Sequence, residues 1–296
     1  MKKNICLLCK SLSITKIFES YNKHGRHIID SKDKFEIYKC RNCELVFIQG
    51  IELNSSYYSK YYSADYYESS IKNNILPYLY SLLSSYSLQK KENLLLKFLP
   101  KFQKKYKILD VGCGNGDFLE HLNQRFDKTG LEINKDGIEI CRKKNIKVIN
   151  SDISKFKGEN RRFDVITLWQ VLEHLNNPVP VMKKINNMLT KNGILVLSTP
   201  NTDSLGFYLS KIEWFHLDSP RHLLLFNNKS IKILVSNAGF NIITSKYEFY
   251  DYPLDLFWSL INSTWKYLIY PFYPLFKIID KETLTIICKK KRDLAI

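Results

Sequence analysis

The sequence predicts an α/β fold: a doubly wound sheet with helices on both faces, a small cysteine-bearing module in front and a helical insertion behind. Three observations carry this. The apolar run Tyr106 to Val111 stops at three glycines spaced by two, Gly112, Gly114 and Gly116, and a helical pattern with Phe118, Leu119 and Leu122 on one face follows. Strand, glycine turn, helix is the geometry in which backbone comes close to a ligand. Apolar strands then alternate with helical patterns as far as residue 198, the signature of a parallel sheet. The third observation is a pair of C-x-x-C knuckles near the start, Cys6/Cys9 and Cys40/Cys43.

In chain order, residues 1–50 form the cysteine module. Its two knuckles, separated by 30 residues, supply four soft thiolates at tetrahedral spacing, so structural zinc on Cys6, Cys9, Cys40 and Cys43 is the expected metal. Lys10 and Glu44 stand where such knuckles usually carry glycine. Cys113, Cys141 and Cys288 read as small buried residues. Residues 51–100 form a tyrosine-rich linker, then one or two Leu-rich helices over 71–99 that end at Pro100. Residues 101–250 form the core, with strands at 106–111, 128–132, 146–149, 163–168 and 193–198 and helices at about 116–126, 135–144 and 178–190. A helix over 229–238, stopped by Gly239, and a strand over 241–248 follow. Residues 251–296 hold an aromatic, apolar insertion, Tyr252 to Ile279, and a β-rich run from Thr283 to Lys289. Lys266, Pro271 and Pro274 interrupt the insertion, so it does not read as a membrane span.

The glycine spacing narrows the cofactor. A dinucleotide turn reads G-x-G-x-x-G, but here Asp117 stands three residues after Gly114. Asp110 precedes the turn, and an acid there repels phosphate and suits a cation or an amine. Glu132 ends the next strand, about 20 residues on, where a carboxylate accepts hydrogen bonds from ribose hydroxyls. Asp152, after the strand 146–149, is placed to reach an adenine edge. The expected cofactor therefore carries positive charge near the glycines and no phosphate.

Asp110-Val-Gly-Cys-Gly-Asn-Gly116, Glu132, Ser151-Asp152 and Phe163-Asp-Val-Ile-Thr-Leu168 resemble, in order and spacing, the motifs of class I S-adenosylmethionine-dependent methyltransferases. The resemblance runs from about Tyr106 to Tyr247. It implies a Rossmann-like seven-stranded sheet with the last strand antiparallel. It also implies S-adenosylmethionine held by Asp110, Gly112, Gly114, Gly116, Glu132 and Asp152, with Trp169 and Gln170 near the methyl group. Cys40-Arg-Asn-Cys-Glu-Leu-Val-Phe47, followed by Tyr57-Tyr-Ser-Lys-Tyr-Tyr62 and Asp65-Tyr-Tyr67, is similar to bacterial methyltransferases with an N-terminal zinc module. Many of those serve sugar, surface-polysaccharide or natural-product pathways. Aromatic packing of the module onto the core would explain the tyrosines equally well.

Two stretches stand where an acceptor would enter. Leu168-Trp-Gln-Val-Leu-Glu-His-Leu175 resembles the family's V-L-E-H-L motif, which places His174 beside the cofactor in a structural role. Trp214-Phe-His-Leu-Asp-Ser-Pro-Arg-His222 lies in a long loop and resembles the same bacterial subgroup. It offers His222 or His216 as general base and Arg221 as the binder of an anionic acceptor group such as a nucleotide phosphate. The alternative is that these residues pin the loop.

The expected acceptor is a small molecule, a nucleotide-linked or lipid-linked sugar or a secondary-metabolite precursor. The net charge of +16 is spread along the chain without a Lys/Arg block and reads as a solvated basic surface, so a nucleic-acid partner is not expected. Leu168-Trp-Gln-Val lacks the N/D-P-P-Y-type motif of amino-methyltransferases, and no Cys lies between Cys141 and Cys288 to serve cytosine C5 chemistry. A nucleic-acid or protein methyltransferase docking through its zinc module is thus the weaker reading, as is a non-catalytic scaffold. No secretory signal is visible, which places the chain in the cytoplasm. The 252–279 insertion reads as a helical segment packed on the core, a substrate cap, a peripheral membrane contact or a dimer surface.

Overall fold

The computed structural model describes residues 5–24, 27–62, 77–158, 162–248 and 251–291. Asp65-Tyr-Tyr67 and the first residues of the 71–99 expectation, 71–76, lie outside the described residues.

The chain opens with a long hairpin, β1 (Ile14–His24) and β2 (His27–Cys40), and a short strand, β3 (Val46–Ile48). The tyrosine-rich stretch forms α1 (Ser55–Tyr61), capped by Asn54, whose side chain accepts the Tyr57 amide at 2.9 Å. The Leu-rich stretch is one helix, α2 (Pro77–Phe98).

The core then runs β4 (Tyr106–Val111), α3 (Asp117–His121), β5 (Phe126–Glu132), α4 (Lys135–Lys143), β6 (Lys147–Asn150), β7 (Phe163–Trp169), α5 (Pro178–Met188) and β8 (Leu189–Pro200). After the long loop come α6 (Leu205–Ser210), β9 (Leu224–Leu225), α7 (Asn228–Asn237) and β10 (Phe240–Glu248). The insertion supplies three short helices, α8 (Asp255–Ser259), α9 (Lys266–Ile269) and α10 (Tyr273–Ile279), before β11 (Thr283–Lys290).

The large sheet has seven strands in the order β10-β11-β8-β7-β4-β5-β6. β4 is parallel to β5 and β7, and β7 to β8, while β11 runs antiparallel to both β8 and β10. This is a Rossmann-like seven-stranded sheet with its last strand reversed, as the motif resemblance implied. Strand order switches direction at β4, so the crevice for a ligand opens above its carboxyl end, where the glycine turn sits. Ile108, Leu109, Val165, Ile166, Leu195 and Val196 are fully buried, because a central parallel strand is covered by helices on both faces.

Several boundaries differ from the sequence pattern. The helix expected over 116–126 stops at His121, and β5 starts two residues early at Phe126. Leu122 is already extended, and the Asn123 side chain accepts the Arg125 amide at 2.8 Å, a local turn that competes with the helix. β8 starts four residues early, because Leu189 pairs with Phe163 as soon as α5 ends.

The front module is stitched to the core. β1, β2 and β3 form a four-stranded sheet with β9, a strand borrowed from the long loop. Phe47 pairs with Leu224 and Val46 with Leu225. Cys6, Leu8, Cys40, Cys43, Leu45 and Phe47 share one apolar cluster with Met182, Leu195 and Phe226 of the core.

Candidate active site

The site is built on the glycine turn. Gly112, Gly114 and Gly116 all have positive φ, at 67°, 53° and 75°. Each neighbour differs. A Cβ on Gly112 would meet Val171 at 2.6 Å and one on Gly116 would meet Ile146 at 2.7 Å, whereas one on Gly114 would meet nothing within 4 Å. Gly114 is the point where the turn's bare backbone faces open space. Gly137 matters as well: a Cβ there would stand 2.9 Å from the Gly114 carbonyl oxygen, so this glycine lets α4 close on the turn.

Glu132 holds the turn's other wall. One carboxylate oxygen accepts the Gly114 amide at 2.8 Å, and the other accepts the amides of Ile133 at 2.7 Å and Asn134 at 2.8 Å. Asn134 caps α4 by accepting the Gly137 amide at 2.8 Å. That residue was not singled out in the sequence, although an Asn just before a helical pattern is a capping signal. Asp110 lies beneath the turn, with Thr167 donating to it at 2.6 Å. Burial pushes its carboxyl up to about 7.

A cavity of about 360 Å³ follows this frame. Gly112, Gly114, Glu132, Asn134, Asp152 and Gln170 line it, and Tyr57, Tyr58 and Tyr62 of the α1 segment stand over it. It continues into a second cavity of about 760 Å³ along Asp136, Asp152, Asn176 and Asn177. The frame fits an adenosine-type sulfonium cofactor: an open glycine face, a carboxylate at the end of the second strand and a second one at Asp152. Trp169 stands apart, its ring edge-on to Phe118 at 5.3 Å and covered by the Lys91 ammonium at 4.9 Å. Gly116 caps α3 from below and is not part of the cavity wall.

One histidine lines both cavities, His174. Its Nδ1 lies 3.0 Å from the Arg221 carbonyl and 3.1 Å from the Tyr62 hydroxyl. A carbonyl only accepts, so Nδ1 carries the proton and Nε2 keeps its lone pair. His222 packs behind it, ring centroids 4.8 Å apart, with Nδ1 donating to the His216 carbonyl at 2.7 Å. Burial lowers both histidines, His222 to about 3, so both are neutral near pH 7. Burial pushes Glu173 up to about 8, and its Oε1 has no hydrogen-bond partner among the described residues.

The rest of the loop's candidates serve the loop. Arg221 is 1% exposed. Its guanidinium donates to Asp218 at 2.8 and 3.1 Å, to Asn22 at 3.2 Å, to the Tyr61 carbonyl at 3.3 Å and to the Lys23 carbonyl. With those donors engaged, Arg221 ties the loop to the front hairpin instead of facing an anionic acceptor. Burial alone would raise Asp218, but the His24 hydrogen bond and the Arg221 guanidinium outweigh it and hold its carboxyl far below the usual range. His216 is buried against Asp255, 3.1 Å away, at the root of the insertion, and is absent from the cavity walls. The sequence could not separate these histidines, because their roles depend on which ring the loop leaves at the wall.

The four cysteines converge as a metal centre would require. Each Sγ lies within 4.8 Å of the other three, and the Cys6–Cys43 and Cys9–Cys40 pairs are 3.5 Å apart. Thiolates at about 2.3 Å from a tetrahedral zinc stand roughly 3.8 Å from one another. Lys10 and Glu44 adopt φ of 60° and 64°, so the knuckles make their left-handed turns without glycine. Their amides return to the Cys6 and Cys40 carbonyls at 3.0 and 2.9 Å. The cluster fits zinc, and Cys6, Cys9, Cys40 and Cys43 would hold it with no open position.

Comparison with known proteins agrees with this geometry. A methyltransferase-domain family matches residues 85–245. A ubiquinone biosynthesis O-methyltransferase from Pelagibacter ubique (strain HTCC1062) is 27% identical over 201 residues, covering 59% of this chain and 79% of that one. One of the same name from Glaesserella parasuis serovar 5 (strain SH0165) is 29% identical over 115 residues, covering 35% of this chain and 49% of its own length. Among solved structures, the plantazolicin methyltransferase BpumL in complex with a triazolic desmethylPZN analog and SAH superposes with a TM-score of 0.52 at 21% identity, covering 79% of this chain and 94% of that chain. A possible histamine N-methyltransferase from Thermotoga maritima gives 0.51 at 16% identity, covering 79% and 98%. These two share the fold.

Proposed function

The chain belongs to the methyltransferase-domain family and is a class I S-adenosylmethionine-dependent methyltransferase; from that premise we propose that it methylates a hydroxyl of a small ring-shaped acceptor, a sugar or secondary-metabolite precursor. The observation that carries the reading is the single histidine at the wall shared by the two cavities, His174, with an unprotonated Nε2. S-adenosylmethionine, when bound, supplies an electrophilic methyl group on a sulfonium. Gly112, Gly114 and Glu132 position the nucleoside, and Asp152 is offered to its base. Asp110 supports the turn from beneath.

The protein's own contribution is placement and one proton. Holding an acceptor in line with water excluded is worth roughly 7–11 kcal/mol of barrier. Tyr57, Tyr58 and Tyr62 line the cavity with aromatic rings that suit a ring-shaped acceptor. His174 Nε2 takes the hydroxyl proton, worth about 10²–10⁴-fold. The ionised Asp218 favours the resulting imidazolium. The Arg221 carbonyl fixes the tautomer of His174 and His222 packs against its ring; His216 acts through the loop. The relatives named O-methyltransferase favour an oxygen acceptor over nitrogen or carbon. Cys6, Cys9, Cys40 and Cys43 would hold zinc in a structural role, bracing β3 and, through its pairing with β9, the loop beside His174.

The test is methyl transfer from radiolabelled S-adenosylmethionine to a panel of nucleotide sugars, free sugars and phenols, beside calorimetric binding of the cofactor alone. Cofactor binding with transfer to a hydroxyl of at least one ring acceptor is expected. Absence of cofactor binding overturns the whole reading. Binding with transfer only to an amine or to nucleic acid overturns the acceptor.

A further inference from the structure

The insertion between β10 and β11 has two apolar faces. Its inner face is a small core of its own, Leu256, Leu260 and Ile269, packed with Tyr270, Tyr273 and Phe276 and with Leu205 and Leu209 of α6. Its outer face carries Trp265, Tyr267, Leu268, Phe272, Leu275 and Ile278, each between 46% and 76% exposed. Surface helices are apolar on one side; a segment apolar on both sides is covered by something. An isolated exposed leucine needs no explanation, but six large apolar side chains within 14 residues on consecutive short helices do.

The charges say what covers it. The four carboxylates of this segment all turn inward. Asp251 pairs with Lys91 at 3.0 Å. Asp255 faces His216 at 3.1 Å and Lys277, and Asp280 and Glu282 are buried. From residue 252 to residue 281 the one exposed charged side chain is Lys281, a cation, with Lys266 half-buried. Lys211, at the end of the α6 on which the insertion rests, is exposed too. Trp265 and Tyr267 begin the patch, and such amphipathic rings prefer the boundary between headgroup and acyl chain. No helix among the described residues is long and apolar enough to cross a membrane. Pro271 and Pro274 instead break the segment into turns that can lie flat.

We propose that the outer face of α9 and α10 docks the enzyme on an anionic lipid surface. Apolar side chains enter the boundary region, and the segment's local charge, an exposed Lys281 with every carboxylate turned inward, draws it to the headgroups. The proposal stands apart from the acceptor assignment, since it rests on surface chemistry alone.

Flotation of the full, zinc-loaded protein with vesicles of phosphatidylcholine alone or mixed with phosphatidylglycerol tests it. The wild type should float with the mixed vesicles, less in high salt, and weakly with phosphatidylcholine. The double variant Leu275→Ser, Ile278→Ser should lose at least about tenfold in partitioning while its melting temperature and cofactor affinity stay unchanged, since both side chains are exposed. Flotation unaltered by the substitutions, or no flotation at all, overturns the proposal. So does a wild-type dimer in sedimentation that the same substitutions split, because the covering surface is then a second copy of the chain.

Discussion

His174 and His222 pack edge to face at 4.8 Å, and only His174 reaches the cavity wall. The pair divides one task between two rings. In the proposed mechanism the front ring meets the acceptor, and the rear ring, pinned to the His216 carbonyl, packs behind it. His174→Gln should therefore lower kcat by about 10²–10⁴-fold with cofactor affinity within a few-fold. His222→Gln should cost less in kcat. Equal losses in both variants, or none in His174→Gln, would remove the base assignment; single-turnover kinetics across pH is the measurement.

Glu173 makes stability depend on pH. Its ordinary value is 4.5 and burial pushes it up to about 8, so the folded chain keeps a proton that the unfolded chain releases between those values. Unfolding becomes easier as pH rises from 4.5 to about 8. Glu173→Gln, neutral throughout, should remove that slope and be the more stable protein at pH 8, by about 1 kcal/mol or more. Denaturant titrations at pH 5 and pH 8 read the difference.

His222 acts in the opposite sense. Its ordinary 6.5 falls to about 3 in the buried site, so the unfolded chain binds the extra proton first as pH drops. The stability this neutral ring needs is complete above 6.5 and is lost progressively toward pH 3. Melting curves of the wild type from pH 7 to pH 4 should decline more steeply than those of His222→Gln. Parallel curves would show that the ring is solvated.

As the proposed acceptor for the ribose, Glu132 should carry cofactor affinity. Replacing it with Gln weakens the acceptor for the ribose hydroxyls and for the Gly114 amide together. Hydrogen bonds to a charged group are worth about 1.5–3 kcal/mol, so affinity for S-adenosylmethionine should fall by roughly 10- to 100-fold in calorimetry. Unchanged affinity would move the nucleoside elsewhere.

The cysteine cluster should hold one zinc per chain. Cys40→Ser should release it and lower the melting temperature by about 10 °C, because four-thiolate metal binding contributes folding energy directly. Since β3 pairs with β9, the loss should also reach the loop bearing Arg221 and His222. The expected pattern is a fallen kcat with cofactor affinity nearly intact. Metal analysis and the kcat-against-affinity comparison check it.

Much of the fold was legible because its signals are local. The largely apolar run Tyr106 to Val111 and the three glycines spaced by two, which carry positive φ, need no knowledge of distant residues. The boundary at His121 was less legible, because Asn123 trades helix for a side-chain turn and propensity does not decide between them. The histidines were illegible in role. The motif resemblance implies a structural role for His174 and offers His222 or His216 as the base, because spacing carries no trace of which ring faces a cavity.

The sequence by itself determined the sheet, the glycine cradle, the carboxylates around it and the four thiolates, because periodicity, φ requirements and ligand chemistry are properties of short segments. Only the tertiary structure decided that Arg221 clamps the front hairpin, that His174 alone stands at the wall, and that β9 joins the cysteine-bearing module to the core. Those outcomes depend on which long-range pairs form. Arg221 meets Lys23 across 198 residues of chain, and a buried guanidinium must satisfy its donors wherever packing leaves them.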